Sequence, residues 1–175
     1  MNDKLNLPSD LKEVTQCVTF FGLSRLAEWA SNQEDAKVAS MFQEFYQLAA
    51  DSIEGAGGRI VKFIGDAGLA VFPKEAADRA VIALADLAAE ARKRAARHGF
   101  DTYLNTTVHF GPMLEGTFGP EGLERYDVLG KTVNVAARLG RRGLTLSQQA
   151  FRCLSPEVRE RFAKIDQPTN YRLSR

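Results

Sequence analysis

Cysteine is scarce in this 175-residue chain. Cys17 and Cys153 are its two thiols, and they stand far apart and outside any Cys-x-x-Cys or Cys/His spacing, which argues against a structural zinc site or a disulfide framework. That usage fits a reduced, cytoplasmic setting. No apolar run approaches the roughly 18 residues that cross a bilayer, and no basic segment followed by an apolar core opens the chain, so neither a membrane span nor a signal peptide is expected. An excess of one charge is missing too. With 23 Lys and Arg residues against 22 Asp and Glu, the net charge is +1, which supplies no field to gather nucleic acid or a lipid surface, so a polyanionic ligand must be held by local groups. What remains, 45% hydrophobic and 26% charged residues without an internal repeat, is the composition of one globular domain. Residues 1–12, polar and containing Pro8, are expected to be a flexible leader or linker, and residues 13–175 a single domain.

The order of elements predicts an α+β fold. Residues 14–21 alternate and are β-branched, a first strand ending at Gly22. Residues 23–29 start a helix with Ser24 as its cap, and residues 36–53 continue with Val38, Met41, Phe42, Phe45, Tyr46 and Leu48 at helical spacing. Residues 59–72, RIVKFIGDAGLAVF, read as two buried strands joined by a tight turn holding Asp66, closed by Pro73. A helix over 74–98 ends at Gly99, with Arg92, Lys93, Arg94 and Arg97 near its C-terminus, where cations suit the helix dipole. Strands at 103–109 and 113–117 flank Gly111-Pro112. A short strand at 126–129, a helix from 132 to about 141, a strand at 144–147, a helical stretch to about 162 and a last strand at 171–173 complete the chain. Hairpins mixed with crossover helices imply a sheet covered by helices on one side.

Chemistry gathers in two places. In residues 60–64 strict alternation puts Ile60, Lys62 and Ile64 on one face and Val61 and Phe63 on the other. A cation in an otherwise buried strand needs a polar task, either an ion pair or a ligand acceptor, unless it lies at a groove edge and reaches solvent. Asp66 is a turn former or a carboxylate aimed at a metal. Asn134 and Arg138, four residues apart, share one face of the predicted helix, with Val133, Ala136 and Ala137 turned to the core. An amide and a guanidinium so placed can hold a ribose and meet phosphate charge, or simply form a solvated helix face. Asp127 lies in the short strand before them and can read a purine amino group or cap a turn.

GGRIVKFIGDAGLAVFP, then VHFGPMLEGTFG, then RYDVLGKTVNVAARL resemble, in order and spacing, the catalytic domain of class III nucleotidyl cyclases, the adenylyl and guanylyl cyclases. The similarity spans residues 14–155. It implies a ferredoxin-like, mixed and mostly antiparallel sheet covered by helices, and a head-to-tail homodimer, or a heterodimer with a metal-competent chain, whose sites lie at the interface. In that family two aspartates of one chain bind two Mg2+ or Mn2+ ions, and Asp66 matches the second. The other chain supplies a purine-reading pair, matched by Lys62 and Asp127, and a transition-state pair, matched by Asn134 and Arg138. Guanylyl cyclases usually carry Glu and Cys at the purine pair, so the resemblance favours ATP, cyclised to 3′,5′-cyclic AMP with loss of pyrophosphate.

The first metal aspartate is absent. Its position falls on Thr19, or on Phe20 if the alignment slips by one, and no Asp or Glu occurs between Glu13 and Glu28. A threonine hydroxyl lacks the charge that two adjacent divalent ions require, so the sequence implies weak turnover, or a degenerate chain acting as a heterodimer partner or nucleotide-sensing module. The family's polyphosphate lysine sits in a strand hairpin near the C-terminus. Here Lys164 is the available substitute and a poor match.

Overall fold

In this computed structural model, which describes residues 7–140, 142–165 and 170–174, the organising element is β1 (Lys12–Leu23). It lies between β3 (Ala67–Phe72) and β4 (Leu104–Phe118) and pairs antiparallel with both. With β2 (Arg59–Ile64), β6 (Leu144–Ser147), β7 (Phe162–Ile165) and β8 (Asn170–Leu173), the sheet order is β2-β3-β1-β4-β6-β8-β7, and β5 (Arg125–Leu129) pairs with the far end of β4. The β4–β6 pairing is parallel and the others are antiparallel, the mixed sheet that hairpins and crossovers predict.

Alternation along β1 divides the interior into two cores. Cys17 and Phe21 point to one face, where α2 (Asp35–Gly55) brings Met41, Phe45, Leu48 and Ile53, and α3 (Ala77–Arg97) brings Val81, Leu84, Leu87 and Ala91. Their spacing forms the apolar stripe of a surface helix, and each fully buried large side chain contributes about 1.5–3 kcal/mol. Val18 points to the other face, with Leu69, Val71, Met113 and Val128, under Ala136 of α4 (Lys131–Arg138). Helices therefore cover both faces, not one. Val133 and Ala136 pack inward as expected, but Ala137 is exposed, because an eight-residue helix lying over strand ends buries a narrow stripe. The expected end of that helix at Arg141 lies outside the described residues.

Several expectations are corrected. Ser24 caps no helix: its hydroxyl donates to the Tyr103 carbonyl at 2.9 Å and accepts from the Tyr103 amide at 3.2 Å, and α1 starts later, at Leu26–Ala30. Gly111-Pro112 does not break the chain into two strands. Residues 109–113 fall between the reaches of β6 and β5, where β4 has β1 as its strand partner, so a residue without an N–H fits an unpaired side. Gly111 instead makes room for α4, since a Cβ there would meet the Thr132 Oγ1 at 2.7 Å. The helical stretch near residue 160 resolves into short α5 (Gln148–Arg152) and α6 (Pro156–Arg159), capped by Ser147 and Ser155, and then β7, a strand the apolar pattern was too short to reveal. At the other end, Asp10 anchors the chain ahead of β1, accepting from the Thr117 hydroxyl at 2.6 Å and the Thr117 amide at 3.0 Å.

Candidate functional site

Strand β2 is an edge strand, so the two strands around Asp66 are not both buried: β3 is, and Lys62 and Ile64 of β2 are exposed. Ile64 pairs with Ala67, leaving a two-residue connection whose first member, Gly65, has φ 57°, a conformation that glycine adopts without penalty. This places Asp66 half-buried in the turn that closes the hairpin.

A bulge between Ile60 and Lys62 resets the side chains of β2. Ile60 and Phe63 pack toward the α2 side, whereas Val61 joins the opposite core and Lys62 sits across from Leu69, which belongs to that same core. The alternation expected from sequence is thus broken, and the break turns Lys62 toward β5. Its Nζ lies 2.5 Å from Asp127 Oδ2, while Asp127 Oδ1 accepts from the Val128 amide at 2.8 Å. No ladder joins β2 to β5; side chains bridge them. A second bridge, invisible to sequence reasoning, stacks the Arg59 guanidinium on the Tyr126 ring at 3.5 Å, and the Tyr126 hydroxyl donates to Glu115 at 2.9 Å. Burial and the neighbouring Glu115 push the Tyr126 phenol up to about 12, so it remains a donor. Lys62 is 42% and Asp127 21% exposed at the side chain, which leaves the pair open to a ligand.

Asn134 and Arg138 are both exposed on α4, one turn apart, and neither side chain bonds to another described residue. On its N-terminal side α4 is pinned by Thr132, whose hydroxyl donates to the Pro112 carbonyl at 2.5 Å. Beside it runs an apolar groove of about 500 Å³ walled by Met113, Leu114, Leu129 and Val135, with His109 at its floor. His109 is buried, and its Nδ1 is 2.8 Å from the Ser147 Oγ.

Thr19 lies elsewhere. It is fully buried between Ala70 and Val108, both members of the core under α2 and α3, and its hydroxyl has no partner among the described residues. It opposes Ala70, the fourth residue of β3, and Asp66 lies in the turn just ahead of that strand. Lys164 is exposed on β7, five strand positions from β3, or roughly 24 Å at about 4.8 Å per strand. Within one chain it does not join Asp66.

An α+β fold of this topology with two polar pairs on the β5–α4 side defines a class before a family. A sequence profile described as "Adenylate and Guanylate cyclase catalytic domain" matches residues 10–168, and the chain belongs to that family, the class III cyclase catalytic domains. Uncharacterized protein Rv1319c of Mycobacterium tuberculosis is 31% identical over 130 residues, covering 70% of this chain and 23% of its own length. Uncharacterized protein Rv1318c of the same organism is 29% identical over 160 residues, covering 83% and 28%. The chain thus spans about a quarter of these relatives. Among solved structures, a bacterial light-regulated adenylyl cyclase superposes with a TM-score of 0.82 at 21% identity, over 94% of this chain and 52% of the other. The adenylyl cyclase CyaB from P. aeruginosa gives 0.82 at 17%, over 95% and 96%. The guanylyl cyclase Cya2 gives 0.80 at 16%, over 93% and 92%. At such identities these likenesses establish the fold.

Family members generally use Mg2+ or Mn2+. No cluster of three or more His, Cys, Asp or Glu side chains occurs among the described residues, and at the first metal-aspartate position the uncharged hydroxyl of Thr19 does not fit a two-ion site within this chain. Asp66, half-buried and without an ion-pair partner among the described residues, does fit a single ion carried on substrate phosphates, since Mg2+ is commonly held by one or two carboxylates plus phosphate oxygens.

Proposed function

We propose that this chain is an adenylyl cyclase domain, converting ATP to 3′,5′-cyclic AMP and pyrophosphate, that contributes the nucleotide-facing half of a shared site and turns over weakly as a homodimer. The observation that carries the reading is the Lys62–Asp127 contact across two strands that share no ladder. A lysine donor and a carboxylate acceptor side by side match the ring nitrogen and 6-amino group of adenine, and oppose the ring N–H and carbonyl of guanine. Asn134 orients the ribose. Arg138 offers forked donors to the phosphate as the 3′-oxygen attacks the α-phosphorus and pyrophosphate departs. A divalent ion on the triphosphate, held by Asp66, would acidify the 3′-hydroxyl and neutralise phosphate charge.

The buried, apolar setting of Thr19 favours a productive pair in which a partner chain supplies two metal carboxylates. Exposed Leu114, Leu129 and Val135 support association through the α4 groove. The test measures cyclic AMP from Mn2+ and ATP, for the purified chain alone and mixed with a cyclase chain that keeps both aspartates but lacks its own asparagine and arginine. Low activity alone and at least tenfold more in the mixture is expected, and Arg138→Ala should lower the mixed activity about a hundred- to thousandfold. Vigorous activity of the chain alone would refute the need for a partner. ATP binding without turnover in either setting would make the chain a nucleotide sensor.

A further inference from the structure

The turn that carries Asp66 is held from outside its own hairpin. Gly65 and Asp66 each present a carbonyl that the two-residue connection cannot satisfy internally. The Asp66 carbonyl accepts from the Leu23 amide at 3.0 Å, at the end of β1. The Gly65 carbonyl accepts from the Tyr46 hydroxyl at 2.6 Å, reaching across from α2. Tyr46 has little freedom to do otherwise: its ring stacks on Phe63 with centroids 4.1 Å apart and meets Phe42 edge-on at 5.6 Å. Because β2 is an edge strand, its hairpin end has β3 alone as ladder partner, and the two outside bonds hold the backbone of the turn.

We propose that Tyr46 is a positioning residue for the Asp66 metal ligand, acting through the Gly65 carbonyl. This rests on the reading of Asp66 as a ligand for the nucleotide-borne ion. Tyr46 is not expected to touch the ion or the nucleotide. Its hydroxyl sets the aim of the carboxylate, which a lone ligand needs more than one of a full set.

Tyr46→Phe removes the hydroxyl and keeps both ring contacts, so the variant should fold with a Tm within about 2 °C of the parent. Mn2+ affinity in the presence of 3′-deoxy-ATP, read from the free Mn2+ signal in electron paramagnetic resonance, should fall about three- to tenfold. Asp66→Asn should lower it at least as much, and the double variant should match Asp66→Asn, because Tyr46 acts through that carboxylate. If Asp66→Asn weakens Mn2+ binding but Tyr46→Phe does not, or if the two losses multiply, the positioning role is wrong while the site reading stands. If Asp66→Asn has no effect, the reading of Asp66 as a ligand fails and the inference falls with it.

Discussion

Lys62→Met separates a structural strut from a ligand reader, because the substitution keeps the aliphatic stem and removes the charge. In the free protein the Lys62–Asp127 pair is partly solvated, with 42% and 21% of the side chains exposed, and a pair in such a setting contributes about 0.2–1 kcal/mol. Asp127 keeps its bond from the Val128 amide at 2.8 Å, and water can reach the freed oxygen. The fold should therefore lose less than about 1 kcal/mol in urea titrations. Binding is a different matter. A hydrogen bond from a charged donor to the adenine ring is worth about 1.5–3 kcal/mol, or roughly ten- to hundredfold in affinity. Calorimetric titration with ATP should show that loss, while GTP, which presents an N–H to the lysine, should change by less than about threefold, so the ratio between the nucleotides narrows. Equal losses for ATP and GTP, or unchanged ATP affinity together with a stability loss above about 2 kcal/mol, would refute the purine-reading assignment and make the pair a clasp between β2 and β5.

Thr19→Asp places a carboxylate between Ala70 and Val108 in the core under α2 and α3, among apolar neighbours. Thermal and urea unfolding at neutral pH should register a loss of roughly 3 kcal/mol, and recovery of the parent Tm on adding Mn2+ would show a usable metal position there and refute the reading of this position as closed to metal. His109 predicts a pH dependence. Burial holds its imidazole below the usual 6.5, so as pH falls the unfolded chain takes up the proton first. Its neutral form carries no penalty above about pH 6.5, and stability should decline below that. Urea midpoints for the parent and His109→Gln should converge in acid relative to their difference at pH 7.5, and a parallel decline would refute the assignment to this histidine.

Legibility followed the range of the interactions. The long helices were readable because α2 and α3 place their apolar residues at regular local intervals, and the hairpin because Gly-Asp between two apolar runs is a local turn signal. The Ser24 cap failed because a contact with Tyr103, 79 residues away, claimed the hydroxyl. The break at Gly111-Pro112 failed because glycine and proline were answering to α4 and to an unpaired edge rather than to a turn. Alternation in β2 failed at a bulge, which no local pattern marks. Arg59, Tyr126 and Tyr46 went unnoticed as site neighbours for a similar reason: their partners are distant in sequence and their residue types are common.

By itself the sequence determined the family, the α+β class, the identity of Lys62, Asp66, Asn134, Arg138 and Asp127 as candidate site residues, and the lack of a carboxylate anywhere near Thr19. These depend on residue type and order, which folding does not change. The tertiary structure decided that Lys62 faces Asp127 rather than the α2 side, that Thr19 is enclosed in the core, that Lys164 stands at the opposite edge of the sheet, and that the Asp66 turn is held by a tyrosine of α2. Each of these depends on strand order, a bulge or a long-range bond, and such relations come into being when the sheet closes around β1.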